Sequence, residues 1–160
     1  MNKELVQLLN DQMNLELASA YLYVDMGIAM KFINADGYAH WFEQQVHEEV
    51  EHAEKIAAFL LELGHEPELK NLEIERPTDR TPLAIAKAAL EHEKFITKSL
   101  LDLRKAALDA GEQAVEIFLQ WFITEQVEEE DKAKKVVDLI EMAGDDFAAK
   151  LKVDAILGSR

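Results

Sequence analysis

A glutamate and a histidine three residues apart, Glu49-x-x-His52, sit inside an amphipathic stretch, and a shift of 77 residues reproduces their setting later in the chain. The shift carries Glu16 onto Glu93, Glu49 onto Gln126 and His52 onto Glu129. On a helix an i, i+3 pair projects from one face, so a carboxylate and an imidazole at that spacing can converge on one metal ion. The chain therefore reads as two related helical hairpins. Glu16 and Glu49 are 33 residues apart about the breaker run Asn34-Ala35-Asp36-Gly37, and Glu93 and Gln126 are again 33 apart about Asp109-Ala110-Gly111. Each hairpin, folded back, brings its pair to one height, roughly 25 Å from the turn at 1.5 Å rise per residue. Four helices can then surround one site.

Apolar spacing of i, i+3, i+4, i+7 runs through most of the chain, with none of the short-period alternation of strands. It predicts an all-α fold with helices at about 2–34, 37–64, 82–109 and 112–143 and a short fifth at about 145–157, in one domain over residues 1–160. Gly64 closes the second helix, and Thr81-Pro82 supplies an N-cap and a first-turn proline for the third. The 17 residues from His65 to Thr81 carry two of the three prolines and no helical period. Extended, they reach over about 50 Å, enough to run beside a helix of roughly 42 Å. Such a link predicts a crossover that leaves the second and third helices parallel.

Composition narrows the chemistry. With no cysteine, any metal must be held by oxygen and imidazole, and disulfides and thiolate sites are excluded. A formal charge of −15 without a basic patch disfavours nucleic acid and anionic membrane as partners. The first residues, MNKELVQLLNDQMNLELAS, carry charges inside their apolar pattern, so neither a secretory signal nor a span is expected, and the default is cytoplasmic.

Each predicted core stripe is interrupted near its middle. The stripes read Leu5, Leu8, Leu9, Gln12, Glu16, Ala20, Tyr23, Gly27; Phe42, Gln45, Glu49, His52, Ile56, Phe59, Leu63; Ile85, Ala89, Glu93, Ile96, Leu100, Leu103; and Val115, Leu119, Phe122, Gln126, Glu129, Ala133, Val136, Ile140. A single helical glutamate is usually a solvated one, but interruptions at matched heights on four helices point inward together. Ionised carboxylates in an apolar interior cost several kcal/mol per uncompensated ion, roughly. His52 is the one basic residue expected on the layer, whereas two divalent cations balance Glu16, Glu49, Glu93 and Glu129 by charge. The donor set suits iron or manganese, with Glu49 central enough to bridge.

At these residues the chain resembles the non-haem ferritins of bacteria and archaea over nearly its whole length, through NDQMNLELASAYLY, HEEVEHA, LEHEKFIT and FLQWFITEQVEEED. The resemblance implies a ferritin-like four-helix bundle and a ferroxidase centre. Glu16, Glu49 and His52 match its first iron site, Glu93 and Glu129 its second, Gln126 the nearby glutamine and Tyr23 the tyrosine beside it. A third iron position is implied at Glu48, Glu125, Glu128 and Glu129, although an acidic run such as Glu128-Glu129-Glu130-Asp131 also reads as a solvated face. Val50 and Glu129 stand where a haem-binding relative has a methionine ligand and a second histidine, so no haem is expected.

The implied function is iron storage and detoxification: Fe(II) is oxidised with O2 or peroxide and kept as ferric oxide mineral inside a homo-oligomeric cage, usually of 24 chains. The fifth helix is expected at four-fold contacts. Glu116 matches an acidic channel position, but Leu119 replaces the next acid. The alternatives are a di-iron oxidase or oxygenase acting on an organic substrate, and a DNA-protecting mini-ferritin. His40, His47, His65 and His92 read as structural or solvated, Met13, Met26 and Met30 as packing, and Trp121 as packing near the centre.

Overall fold

The computed structural model describes residues 2–160, and among them the chain forms five helices and no strand: α1 Lys3–Phe32, α2 Asp36–Glu62, α3 Pro82–Asp109, α4 Gln113–Ala143 and α5 Phe147–Gly158. Local chemistry sets the ends. Asn2 Oδ1 accepts from Leu5 N at 2.8 Å, Asp146 Oδ1 accepts from Ala149 N at 2.7 Å, and Thr81 caps α3 with Pro82 at its first position. The α1 periodicity predicts a helix to residue 34, yet the helix stops at Phe32 because Asn34 turns left-handed, with φ 59°. Gly64, at φ 80°, ends α2 while the carbonyls of Leu60 and Leu61 accept from His65 N and Gly64 N.

Side-chain ties to α1 settle the topology. The crossover begins near the start of α1, where Asn10 Nδ2 and Asn14 Nδ2 donate to the Glu68 carbonyl at 3.0 and 2.8 Å. It ends near the other end of α1, where Asp25 takes Arg76 Nε at 2.9 Å and Arg80 Nη1 at 2.5 Å. The link thus travels most of a helix length, and α2 and α3 run parallel, both antiparallel to α1. The structure is a four-helix bundle with a long crossover and a short fifth helix, the architecture expected from the sequence.

Two apolar clusters fill the bundle. One gathers Tyr23, Met26, Met30, Phe42, Ile85 and Val136 with Val153 and Leu157 of α5. The other gathers Leu5, Leu9, Ile56, Leu60, Leu100, Leu119 and Phe122. Between them lies a polar layer. Leu8, placed on the α1 stripe by periodicity, instead faces outward at 36 % exposed, and Phe59 is only half-buried, with its ring stacked on Phe118 at 3.9 Å between centroids. The stripe is narrower at this end than the sequence implies.

α5 docks on the start of α2 through a close backbone approach at Gly37. A Cβ there would fall 1.8 Å from the Asp154 carbonyl oxygen, while Tyr38 N donates to Asp154 Oδ1 at 3.1 Å. Gly37→Ala is expected to destabilise the protein by about 1–3 kcal/mol, the usual range for overpacking. Helical circular dichroism should persist while amide exchange across 147–158 accelerates; unchanged protection there would contradict this docking.

Candidate metal centre

The layer between the two clusters consists of Gln12 and Glu16 from α1, Gln45, Glu49 and His52 from α2, Glu93 from α3, and Gln126 and Glu129 from α4. None of these residues is more than 4 % exposed. Their burial follows from helical register: each lies one or two turns from core apolar residues on its own stripe, so turning it out would expose those residues as well.

Ligand atoms of Glu16, Glu49 and His52 lie within 4.8 Å of one another, and those of His52, Glu125 and Glu129 form a second such group. Glu49 Oε2 is 3.3 Å from His52 Nδ1. The His52 ring packs edge-on to Trp121 and Phe122, with centroids 5.6 and 5.9 Å away, which holds its orientation. Glu93 accepts from the Tyr23 hydroxyl on Oε1 and from Gln126 Nε2 on Oε2 at 3.1 Å. Glu129 Oε2 accepts from Gln45 Nε2 at 2.9 Å, and Glu16 Oε1 from Gln12 Nε2 at 2.7 Å. Each of these acids therefore presents a steered carboxylate.

Hydrogen bonds alone do not satisfy the layer. Glu16 Oε2 and Glu49 Oε2 are buried without a hydrogen-bond partner. Burial pushes Glu16 and Glu49 well above the usual carboxylate range, and neighbouring acid charges add to the shift. Burial likewise pushes Glu93 up to about 7 against the Tyr23 and Gln126 hydrogen bonds, and it raises Glu129. The Tyr23 hydroxyl is pushed up as well, first by burial and then by Glu93, so it stays a donor. Carboxylates and one imidazole with unsatisfied oxygens fit a hard or borderline divalent cation.

Sequence reasoning placed Gln12 and Gln45 on the core stripes without assigning either an acceptor, and it missed Lys132 and Arg160. Gln12 stands four residues before Glu16, a spacing that could have marked it as that acid's donor, whereas Gln45 serves Glu129 of α4 and not Glu49, so no local spacing marks it. Lys132 corrects the expectation that His52 is the one basic group at the layer. Its long side chain leans back along α4, a direction helical side chains favour, and brings Nζ to 3.0 Å from Glu128, 3.5 Å from Glu129 and 3.6 Å from Glu48. Arg160, beyond α5, donates to Gln45 Oε1 at 2.5 Å and Glu48 Oε1 at 2.7 Å. No local pattern announces that contact, since 112 residues separate Arg160 from Glu48.

The remaining candidates distribute as follows. Glu48 and Glu125 are half-buried at the edge of the layer, and Glu128 is exposed. His92 is half-buried beside the layer, 2.7 Å from Ser19 Oγ, and burial lowers it to about 4. Glu116 is held by Arg104 at 2.5 Å, which lowers its pKa.

A carboxyl raised in the folded state is more protonated there than in the unfolded chain, where glutamate titrates near ~4.3. Raising the pH through Glu93's value of about 7 therefore strips protons from the fold preferentially and lowers stability. In chelator-stripped protein the melting temperature is expected to fall between about pH 5 and 7.5, and a saturating divalent cation should reverse the fall. A melting temperature that rises over this window would contradict the charge strain described here.

The chain is similar to known proteins over nearly its whole length. The ferritin-like domain model matches residues 6–143. The bacterial non-heme ferritin of Bacteroides fragilis strain 638R is 31 % identical over 159 residues, covering 99 % of each chain. That of Campylobacter jejuni is 33 % identical over 145 residues, 91 % of this chain and 87 % of the relative. Among solved structures, an open pore ferritin from the hyperthermophilic archaeon Archaeoglobus fulgidus superposes with a TM-score of 0.96 at 36 % identity, over 100 % of this chain and 99 % of the other.

Proposed function

The chain belongs to the ferritin family, and from that membership and the acids buried at the centre of its bundle we propose that it is a ferroxidase that stores iron as ferric mineral. Two Fe(II) ions are the substrate, each giving one electron to O2 or peroxide, and the Fe(III) product leaves for a hydrated ferric oxide. The observation that carries the reading is the pair of buried oxygens on Glu16 and Glu49, close to His52, that accept no hydrogen bond.

Glu16, Glu49 and His52 hold the first ion, Glu93 and Glu129 complete the second, and Glu49 bridges. Four carboxylates favour the higher charge of the oxidised ion, while His52 supplies a neutral donor that limits the negative charge. Gln12 and Gln45 orient Glu16 and Glu129, and Gln126 and the Tyr23 hydroxyl orient Glu93. Glu48, Glu125, Glu128 and Glu129 border a third ion position at the rim.

Storage needs an enclosed volume, so the proposal includes a closed homo-oligomer, a cage of 24 chains, acting in the cytoplasm. An exposed apolar stripe on α1, Tyr21, Val24, Ile28 and Phe32, the last 89 % exposed, supports self-association. Among the described residues no helix is long and apolar enough to cross a membrane. A cavity of about 690 Å³ lies at the base of α5 and another of about 770 Å³ under the crossover, and neither is lined by an acid of the layer, which weighs against an organic substrate.

Aerobic Fe(II) should produce ferric absorbance far faster with this protein than in buffer. Glu49→Ala is expected to slow the initial phase by about tenfold or more, since it removes the shared ligand. An unchanged initial rate would remove Glu49 as bridge. Light scattering should find a large closed particle, and monomers or dimers with intact helices would instead favour the oxygenase reading.

A further inference from the structure

The acids around the centre fall into two groups with different compensation. Glu16, Glu49, Glu93 and Glu129 lie in the apolar interior, and two divalent ions match their charge. Glu48 and Glu128 lie at the rim, and the chain supplies cations for both. Lys132 Nζ stands 3.0 Å from Glu128 Oε1, 3.6 Å from Glu48 Oε2 and 3.5 Å from Glu129 Oε1. Arg160 takes the other oxygen of Glu48 at 2.7 Å.

The ammonium thus stands among three of the four carboxylates that border the third ion position, and it supplies one of the two positive charges a divalent ion would bring there. A lysine is a point charge on a flexible stem, and this side chain is 25 % exposed, so it has a path to solvent. We infer that Lys132 is a tethered competitor for the third cation: it sets the resting ion number at two per chain, and a third divalent ion binds at Glu48, Glu128 and Glu129 only as the lysine swings out. This rests on the di-metal reading of the layer and adds to it a residue that decides metal number. Glu125, whose carboxylate groups with His52 and Glu129, is left to join the inner pair.

The consequence is specific. Entry of the third ion replaces a single charge by a double one, so the rim acids gain only part of the relief the ion would otherwise bring, and its affinity is lowered. Removing the ammonium leaves Glu48, Glu128 and Glu129 facing one another with Arg160 as the remaining counter-charge, and a divalent ion then gains the whole of that relief. Arginine at the same position keeps the charge and the competition.

The test is an anaerobic Co(II) titration of the assembled full chain, iron-stripped, with calorimetry for stoichiometry and anomalous scattering at the cobalt edge for position. The wild-type chain is expected to take two tight ions. Lys132→Met should take a third between Glu48, Glu128 and Glu129, with affinity raised about tenfold or more. Lys132→Gln provides the same test if the methionine variant assembles poorly, and Lys132→Arg should behave as wild type. Two tight ions in every variant with an unchanged third affinity would overturn the role of Lys132 and leave the di-metal centre standing. A wild-type third ion as tight as that of Lys132→Met would overturn it equally. Failure of all variants to bind two tight ions would overturn the di-metal reading, and this inference with it.

Discussion

Four carboxylates buried at one level of a helical bundle require positive charge, and most of the interior is arranged around that requirement. No one helix supplies the set: α1 gives Glu16, α2 gives Glu49 and His52, α3 gives Glu93 and α4 gives Glu129. The apolar clusters above and below the layer hold the helices at the spacing that brings these groups together. Folding thus assembles a concentration of negative charge that the bundle leaves in part unanswered, with an oxygen of Glu16 and one of Glu49 lacking a hydrogen-bond donor. A fold that were only structural would be more stable with leucine at these positions. Retaining the acids makes sense where a cation completes them.

Donors and charges divide the work by depth. Inside, neutral groups do the steering: Gln12, Gln45, Gln126 and the Tyr23 hydroxyl each donate to one carboxylate and leave the net charge for metal. At the rim, where water lowers the penalty for a charged side chain, Lys132 and Arg160 take over. Arg160 also reaches Gln45, which in turn donates to Glu129, so the segment after α5 touches the acid layer through one intervening amide. α5 itself is seated where Gly37 gives it room against α2.

Much of the fold was legible because its determinants are local. The breaker around Asn34, the glycine after α2, the Thr81-Pro82 cap and the length of the proline-bearing link each act within a few residues, and together they imply hairpins joined by a crossover. The errors were also local in cause. Asn34 shortened α1 by adopting positive φ, and Leu8 faced outward because a periodic stripe does not say how wide a neighbour's contact will be. The layer was legible for a different reason: the 77-residue shift aligns its polar positions on both hairpins, and the family resemblance rests on the same residues.

The sequence by itself determined that the chain is helical, that two hairpins carry matched polar interruptions, and that oxygen and imidazole are the available metal donors. Periodicity and composition are properties of the chain before it folds. Only the tertiary structure decided which amide serves which acid, that the Tyr23 hydroxyl meets Glu93, and that Lys132 and Arg160 answer Glu48 at the rim. Those contacts depend on the rotation of each helix about its axis and on side chains long enough to reach over neighbouring turns. Arg160 and Glu48 are 112 residues apart in the chain, and packing of α5 against α2 is what makes them neighbours.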